Sequence, residues 1–216
     1  MEAIMSLGLG YLIGCISPAA WIGKRKHVNL KEEGTKNLGA TNTAIVLGRA
    51  AGIFVMIFDI AKSFLSAKLA KYLFPQLAIA GMLACIGTII GHCYPVFLNF
   101  QGGKGLAAYG GMILAYKPWF FLAIVVPAVL LMVLLDTGVA APILATFMFP
   151  ALTYLYSRDV ADTLCVLIAS IFIFAMHWSN LQKARENKDV IKVNTFLRRF
   201  CLRKKRNDPR GSQKLP

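Results

Sequence analysis

The sequence predicts an all-α protein, a polytopic membrane helical bundle of about seven transmembrane helices with its N-terminus outside and its C-terminus cytoplasmic. Hydrophobic residues make up 57% of the 216 residues, and charged residues only 16%. A bilayer core of ~30 Å is crossed by about 20 helical residues, and the chain supplies several apolar runs near that length. We therefore expect one continuous membrane domain rather than a soluble core.

Seven apolar segments are predicted to span the membrane. The N-terminal segment has Glu2 and no basic residue before it, unlike a cleavable signal peptide, so we expect it to stay in the membrane. Residues 1–182 then form a transmembrane domain, and residues 183–216 form a basic cytoplasmic tail. The predicted spans are residues 4–22, 43–67, 77–98, 106–116, 119–135, 139–156 and 161–177.

Basic residues set the predicted orientation. With the N-terminus outside, 18 of the 24 Lys and Arg residues fall in cytoplasmic segments and only 4 in outer segments, the bias that cytoplasmic loops and tails carry. Twelve lie between Lys183 and Lys214, where Phe and Leu are mixed with them, a pattern that favours adsorption to anionic lipid headgroups. The net charge of +14 thus belongs to the ends of spans, and no nucleic-acid partner is expected.

The cysteines are predicted to be small core residues. The chain has five of them and no CxxC pair, and four lie inside or beside apolar runs. Neither a disulfide framework nor a metal site is favoured by this spacing, and we expect no cofactor. The five residues are Cys15, Cys85, Cys93, Cys165 and Cys201.

A polar segment, GHCYPVFLNFQGGKG from Gly91 to Gly105, follows the third apolar run. It places His92 at the end of a helix, breaks the chain at Pro95 and surrounds Lys104 with three glycines. An imidazole, free backbone N–H groups and a fixed cation suit an anionic ligand at a membrane surface. The alternative is a plain helix C-terminus with a flexible loop. The candidate anion-binding residues are Gly102, Gly103, Lys104 and Gly105.

The first cytoplasmic loop carries a second polar cluster, GTKNLGATN, at residues 34–42. Small residues let a backbone approach an anion closely, and the start of the next helix offers unpaired donors. Alternatively, Thr41 or Asn42 simply caps that helix. The candidate ligand-binding residues are Asn37, Gly39, Thr41 and Asn42.

The last predicted span ends in a third cluster that contains His177 and Asn180. Because these residues are three apart, they project from one helical face. A single His at a helix end is often a C-cap or a solvated residue, and this is the alternative interpretation of His177. His92 and His177 nevertheless both sit where a span meets the cytoplasm, which favours a shared site.

Polar residues also interrupt the first two spans. Asp59 and Lys62 face the same side of their helix, either as a mutually satisfied pair or towards the bundle interior. Arg49 either snorkels or turns inward. Ser17, next to Pro18, either bonds a carbonyl that Pro18 frees or lines the cavity.

Together these motifs resemble the PlsY family of integral-membrane acyl-phosphate:glycerol-3-phosphate acyltransferases over nearly the whole chain. The resemblance implies a seven-helix fold in the cell membrane with a cytoplasmic active face. It also implies a place in phospholipid synthesis, with acyl phosphate and glycerol 3-phosphate as substrates, lysophosphatidic acid and phosphate as products, and an acyl-phosphate-producing enzyme as a partner. The matching motifs are Ser17-Pro18, Asn37-x-Gly-Ala-Thr-Asn42, Asp59-x-x-Lys62, the segment Gly91–Gly105 and His177-x-x-Asn180.

The residues suit that chemistry. Lys104 and the glycine amides hold one phosphate, while the first loop offers donors to another. His92 or His177 orients or deprotonates the attacking hydroxyl. Acyl phosphate is an activated mixed anhydride, so positioning and charge stabilisation suffice without a covalent intermediate. The predicted catalytic residues are His92, His177 and Asn180, and the predicted substrate-binding residues are Ser17, Asn37, Gly39, Thr41, Asn42, Arg49, Gly102, Gly103, Lys104 and Gly105.

Several positions depart from the family pattern. Ile45 and Met176 stand where the family usually has Arg, and Gly138-Val139 corresponds to a usual Ser-Ser pair. We expect Arg49, one turn beyond Ile45 on the same face, to replace one lost cation, and Lys36 another.

Two other functions therefore remain open. One is a catalytically diverged or inactive paralogue that binds acyl phosphate, lipid or a partner, or acylates a different acceptor. The other is a small organic-anion transporter, although the sequence shows no internal repeat. Turnover distinguishes the acyltransferase from both.

Overall fold

The computed structural model describes residues 1–186, and these are helical wherever they have regular secondary structure. All seven predicted spans correspond to helices, so the all-helical class is confirmed. The predicted tail lies almost wholly outside the described residues. The helices are α1 Glu2–Gly14, α2 Pro18–Arg25, α3 Ala40–Leu47, α4 Arg49–Leu73, α5 Ala80–Cys93, α6 Leu106–Tyr116, α7 Pro118–Leu134, α8 Ala140–Ser157 and α9 Val160–Arg185, with one 3₁₀ turn at Val96–Leu98.

Five stretches of the described chain are long and apolar enough to cross a membrane. The helices α6 and α7 are shorter apolar helices. The five stretches are Glu2–Arg25, Arg49–Leu73, Ala80–Leu98, Ala140–Ser157 and Val160–Arg185.

The first predicted span is interrupted between α1 and α2. Pro18 begins α2, where its missing N–H is tolerated. Ser17 is the N-cap, and its side chain accepts a hydrogen bond from the N–H of Ala20 at 3.3 Å. Ser17 therefore caps α2, a role that neither of the two predicted alternatives included.

The second predicted span is also two helices. Gly48 separates α3 from α4 with φ +100°, a conformation that favours glycine. Ile45 therefore belongs to α3, whereas Arg49 is the first residue of α4. The argument that these two residues share one helical face fails at this break.

The closest helix contact is between α1 and α5, which run in the same direction. A Cβ at Gly10 would overlap the carbonyl of Ala84, and one at Gly14 would overlap that of Thr88. Gly87 and Gly91 of α5 likewise lie against the carbonyls of α1 residues Leu7 and Tyr11. Small residues allow two backbones in a membrane to touch in this way. The contact places the end of α1 level with the end of α5.

Helix α4 runs antiparallel to α5. Lys62 lies beside His92 at one end of the pair, and Lys71 contacts Gly81 at the other. Helices α6, α8 and α9 pack on this group around Tyr109, whose hydroxyl is 2.5 Å from that of Ser170. The four described cysteines are buried, as predicted for core residues, and Cys201 lies outside the described residues.

The α1–α5 contact makes a testable prediction at Gly10. We expect Gly10→Ala to destabilise the protein by about 1–3 kcal/mol, the usual cost of overpacking, because the added methyl overlaps a backbone carbonyl that has no room to move. Thermal unfolding in detergent measures the effect.

The matched control is Gly8→Ala on the same helix, where a Cβ would meet nothing within 4 Å. This control should be neutral or stabilising by up to about 1 kcal/mol, since Ala is the better helix former. Equal melting temperatures for the two variants would contradict the close contact.

Candidate active site

The three polar segments predicted from the sequence come together at one end of the bundle. The Lys31 ammonium donates to the carbonyl of Leu98 at 3.0 Å, joining the first loop to the segment after α5. The backbone of Gly103 lies against the carbonyl of Leu38. The Lys104 ammonium donates to Oδ1 of Asn180 at 2.5 Å, which joins that segment to α9.

Residues 99–105, here called the glycine loop, fold back on the end of α5. The N–H of Gly102 donates to the carbonyl of Cys93, and the N–H of Gly103 donates to that of His92, both at 3.0 Å. These two amides therefore hold the loop in place and do not face a ligand, contrary to the prediction. Gly105 has φ +82° and precedes α6, whose first turn has no side-chain cap. The unpaired amides of that turn remain for an anion.

Lys104 is the half-buried cation of the site. It lies directly before the N-terminus of α6 and reaches across to Asn180 on α9. Burial lowers the pKa of the Lys104 ammonium, and the positive charge of Lys183 lowers it further. A cation and a helix N-terminus at one place make an electropositive end that suits a phosphate.

His177 is buried within α9, 8% exposed. The helix continues to Arg185, beyond the predicted span end at residue 177, so His177 is not a C-cap. Its Nδ1 is 2.9 Å from the carbonyl oxygen of Ile173. Because a carbonyl only accepts, Nδ1 carries the proton and Nε2 is the free acceptor of the neutral ring. A ring held in this tautomer can take a proton from a hydroxyl.

His92 has a different environment. It is 7% exposed, and its Nδ1 lies 3.1 Å from the Lys62 ammonium and 3.3 Å from Oδ1 of Asp59. Its Nε2 faces Gly103 so closely that a Cβ there would overlap it. Protein groups therefore flank both ring nitrogens of His92, whereas only Nδ1 of the His177 ring has a hydrogen-bond partner within residues 1–186.

Asn42 holds the first loop together. It is fully buried, and its Oδ1 accepts from the N–H of Thr35 at 2.6 Å. Its Nδ2 donates to the carbonyls of Leu30 at 2.8 Å and Glu33 at 3.1 Å. Both N–H groups of the amide are used, so Asn42 has no donor left for a ligand in this arrangement.

The neighbours of Asn42 remain available. Neither Asn42 nor Thr41 caps α3, whose N-cap is Gly39 without a side-chain hydrogen bond. Thr41 is exposed and Asn37 half-buried, and no hydrogen bond of either side chain occurs within residues 1–186. The backbone of Gly39 lies beside the Asn37 amide.

The predicted pair of Asp59 and Lys62 is confirmed at 2.8 Å. Sequence reasoning missed the other partners of Lys62, the carbonyls of Gly14 at 3.1 Å and Ile16 at 2.9 Å. The sequence did contain a signal, because Pro18 has no N–H to offer the carbonyl of Gly14 four residues earlier.

At the positions that depart from the family pattern, the structure places uncharged side chains. The sulfur of Met176 accepts a hydrogen bond from the Tyr94 hydroxyl at 3.4 Å, and Ile45 is exposed. Val139 lies beside His177 in an apolar groove between α8 and α9. The remaining lining residues of this groove are Pro142, Ile143, Phe174 and Leu181.

Known proteins share both the sequence and the fold. Residues 4–187 match the family described as glycerol-3-phosphate acyltransferase. The chain is 38% identical to a glycerol-3-phosphate acyltransferase of Geobacillus kaustophilus, over 85% of this chain and 92% of that one. It is 32% identical to the Enterococcus faecalis protein of the same name, over 95% of this chain and 98% of the other.

Crystal structures of PlsY, an integral membrane glycerol 3-phosphate acyltransferase, have the same architecture. The glycerol 3-phosphate form matches with a TM-score of 0.81 at 26% identity, over 87% of this chain and 94% of the other. The lysophosphatidic acid form matches with a TM-score of 0.79 over the same shares. The resemblance indicated by the motifs is confirmed, and the chain belongs to the PlsY family of membrane glycerol-3-phosphate acyltransferases.

Proposed function

We propose that this protein transfers a fatty acyl group from acyl phosphate to the 1-hydroxyl of glycerol 3-phosphate, giving lysophosphatidic acid and phosphate. The observation that carries the proposal is the contact of Lys104 with Asn180 beside the uncapped start of α6, with His177 one helical turn before Asn180 on α9. That arrangement combines a phosphate-binding cation with a buried base. The family to which the chain belongs supports the same reaction.

Lys104 and the first turn of α6 hold one substrate phosphate. The ammonium contributes a charge-assisted hydrogen bond, and the helix end contributes unpaired amides and the positive end of its dipole. Asn180 is the partner of Lys104 in the structure and keeps the ammonium aimed across the site. Asn37 and Thr41 offer donors to the second phosphate from the opposite loop.

His177 acts as the general base. Its Nε2 takes the proton from the 1-hydroxyl while that oxygen attacks the acyl carbonyl carbon. The bond between the acyl carbon and the phosphate oxygen then breaks, and phosphate leaves with the bonding electrons. Because phosphate is a good leaving group, holding the two substrates in register supplies much of the rate enhancement. No covalent enzyme intermediate is needed.

The acyl chain lies along the open apolar surface of the groove beside His177 rather than enclosed within it. The lining of the groove between α8 and α9 includes Val139, Ile143 and Phe174, so the chain contacts hydrocarbon while the carbonyl lies near the base. The phosphate end then points towards Lys104. This separation of apolar and anionic ends matches an amphiphilic acyl donor.

The site lies on the cytoplasmic face of the cell membrane, with the N-terminus outside. The basic bias of the predicted cytoplasmic segments supports this orientation. Helices α1 and α5 run in the same direction, and α4, which lies between them in the sequence, runs in the opposite direction. This arrangement supports the predicted alternation of spans. The basic tail adsorbs to anionic headgroups, and an acyl-phosphate-producing enzyme supplies the donor at this face.

A catalytically diverged paralogue is the second candidate. Ile45 and Met176 place no positive charge where the family usually has Arg, and the Arg49 side chain belongs to a separate helix from Ile45. Such a protein would bind acyl phosphate or lipid, or acylate a different acceptor. Turnover decides between the two candidates.

The first prediction from this proposed function concerns acceptor-dependent release of phosphate from a long-chain acyl phosphate in liposomes. We expect release to require glycerol 3-phosphate, and Lys104→Ala to lower kcat/KM roughly 10- to 150-fold, the equivalent of one charged hydrogen bond. The matched control is Lys117→Ala, at the other end of α6, which should retain activity. Folded protein without acceptor-dependent release would favour the diverged paralogue.

The second prediction is a loss of phosphate binding at alkaline pH. Because the pKa of Lys104 is lowered by burial, the ammonium loses its charge at a lower pH than an ordinary lysine, and binding weakens as the pH rises. We expect KM for a phosphate substrate to rise correspondingly early. In Lys104→Arg the side chain stays protonated, so KM at alkaline pH should rise less above its value at neutral pH than it does in the unsubstituted protein. Identical alkaline profiles would exclude Lys104 as the titrating group.

The third prediction separates the two asparagines of the first loop. Asn37→Ala should raise KM for one phosphate substrate roughly fivefold, as expected for one hydrogen bond, with unchanged stability. Asn42→Ala should instead lower stability by about 1–3 kcal/mol, because it leaves buried backbone groups unpaired. Steady-state kinetics and thermal unfolding measure both variants. The reverse assignment of effects would refute the distinction.

A further inference from the structure

We propose that Lys62 is a positioning residue for acyl transfer, one that fixes the glycine loop through His92 and the first loop through the break between α1 and α2. The inference rests on the proposed function and deepens it, because it identifies what holds Lys104 in place. Lys62 is 4% exposed and lies outside the cluster that meets substrate.

The Lys62 ammonium has four polar neighbours. These are the carbonyls of Gly14 and Ile16, Oδ1 of Asp59 and Nδ1 of His92, all within 2.8–3.1 Å. An ammonium has three N–H donors, so Lys62 cannot donate a separate hydrogen bond to all four neighbours. Nδ1 of His92 either accepts from Lys62 or donates to Asp59, and both arrangements hold the ring in one orientation.

The first consequence concerns the glycine loop. The His92 ring meets the backbone of Gly103 through Nε2, and the His92 carbonyl accepts the N–H of the same glycine. A shift of His92 therefore shifts Gly103. Lys104 is the next residue, so its ammonium moves with the loop.

The second consequence concerns the first loop. Lys62 binds two carbonyls at the end of α1, one of which lost its helical donor to Pro18. Helix α2 follows this break and leads into the loop that carries Asn37. The carbonyl of Leu38 in that loop contacts Gly103. The positions of the first loop and of the glycine loop therefore both depend on the Lys62 ammonium.

A purely structural ion pair is the competing explanation. Removing one partner of a buried pair leaves an uncompensated charge and destabilises the whole protein. Such a loss would lower stability and activity together. A positioning role instead predicts a defect in KM that persists when stability is restored.

The kinetic test compares Lys62→Met with Lys68→Met, an exposed position on the same helix. We expect Lys62→Met to raise KM for at least one substrate about tenfold or more, on the scale of one weakened charged hydrogen bond. Lys68→Met should leave both KM values within about twofold, as surface substitutions usually do. In a His92→Gln background, Lys62→Met should add much less, because coupled residues are not additive. Unchanged KM values in Lys62→Met would overturn the inference.

A second variant guards against loss of folding. Asp59→Asn combined with Lys62→Met removes both charges and leaves no buried ion unpaired. We expect a melting temperature closer to that of the unsubstituted protein than Lys62→Met alone, while KM stays raised. Recovery of both stability and KM in the double variant would show that the pair is only structural.

Amide hydrogen exchange tests the inference without turnover. In substrate-free protein, Lys62→Met should speed exchange at Gly102 and Gly103 about tenfold or more, since their hydrogen bonds to α5 open more often. Lys68→Met should not change it. Unchanged exchange at these amides in Lys62→Met would overturn the inference, whether or not the unsubstituted protein is active. Absence of turnover in the unsubstituted protein would refute the proposed function. The exchange rates at Gly102 and Gly103 would then still decide whether Lys62 holds the glycine loop.

Discussion

The direct backbone contact between α1 and α5 is the constraint on which the rest of the structure depends. Four glycines, two on each helix, each lie against a carbonyl of the other helix, so no side chain separates the two backbones. Because the helices run in the same direction, the end of α1 lies level with His92 at the end of α5. One side chain of α4, Lys62, can therefore reach both ends at once. Any larger residue in the contact would separate the ends of α1 and α5, and Lys62 could then no longer bind both.

The site is built where helices stop. A helix end in an apolar bundle leaves polar backbone groups that have no water to bind, and each needs a partner. Lys62 satisfies the end of α1, and the amides of the glycine loop satisfy the end of α5. The starts of α3 and α6, which both lie beside the polar loops, have no side-chain cap, and Lys104 lies directly before that of α6. What distinguishes the start of α6 is the fixed cation beside it, and this is the reason for proposing a phosphate there.

The helices, the Asp59 and Lys62 pair and the gathering of three polar segments could be predicted from the sequence, because hydrophobic length and helical spacing are local properties. The break at Gly48 could not, since a hydropathy pattern does not record a positive φ. The role of Asn42 was also hidden: its partners Leu30 and Thr35 are set by how the loop folds. For the same reason, the sequence marked the glycine amides as donors but could not show that Cys93 and His92 already use two of them.

The pairing of Asp59 with Lys62 also bears on how the protein enters the membrane. The two residues are three apart on α4, so their attraction forms as soon as that helix does and needs no other segment. The carbonyls of Gly14 and Ile16 belong to a segment synthesised earlier and are already present when α4 is inserted. Only His92 follows later in synthesis. The order of the chain therefore lets a span that carries a buried charged pair find its neutralising partners before the bundle is complete.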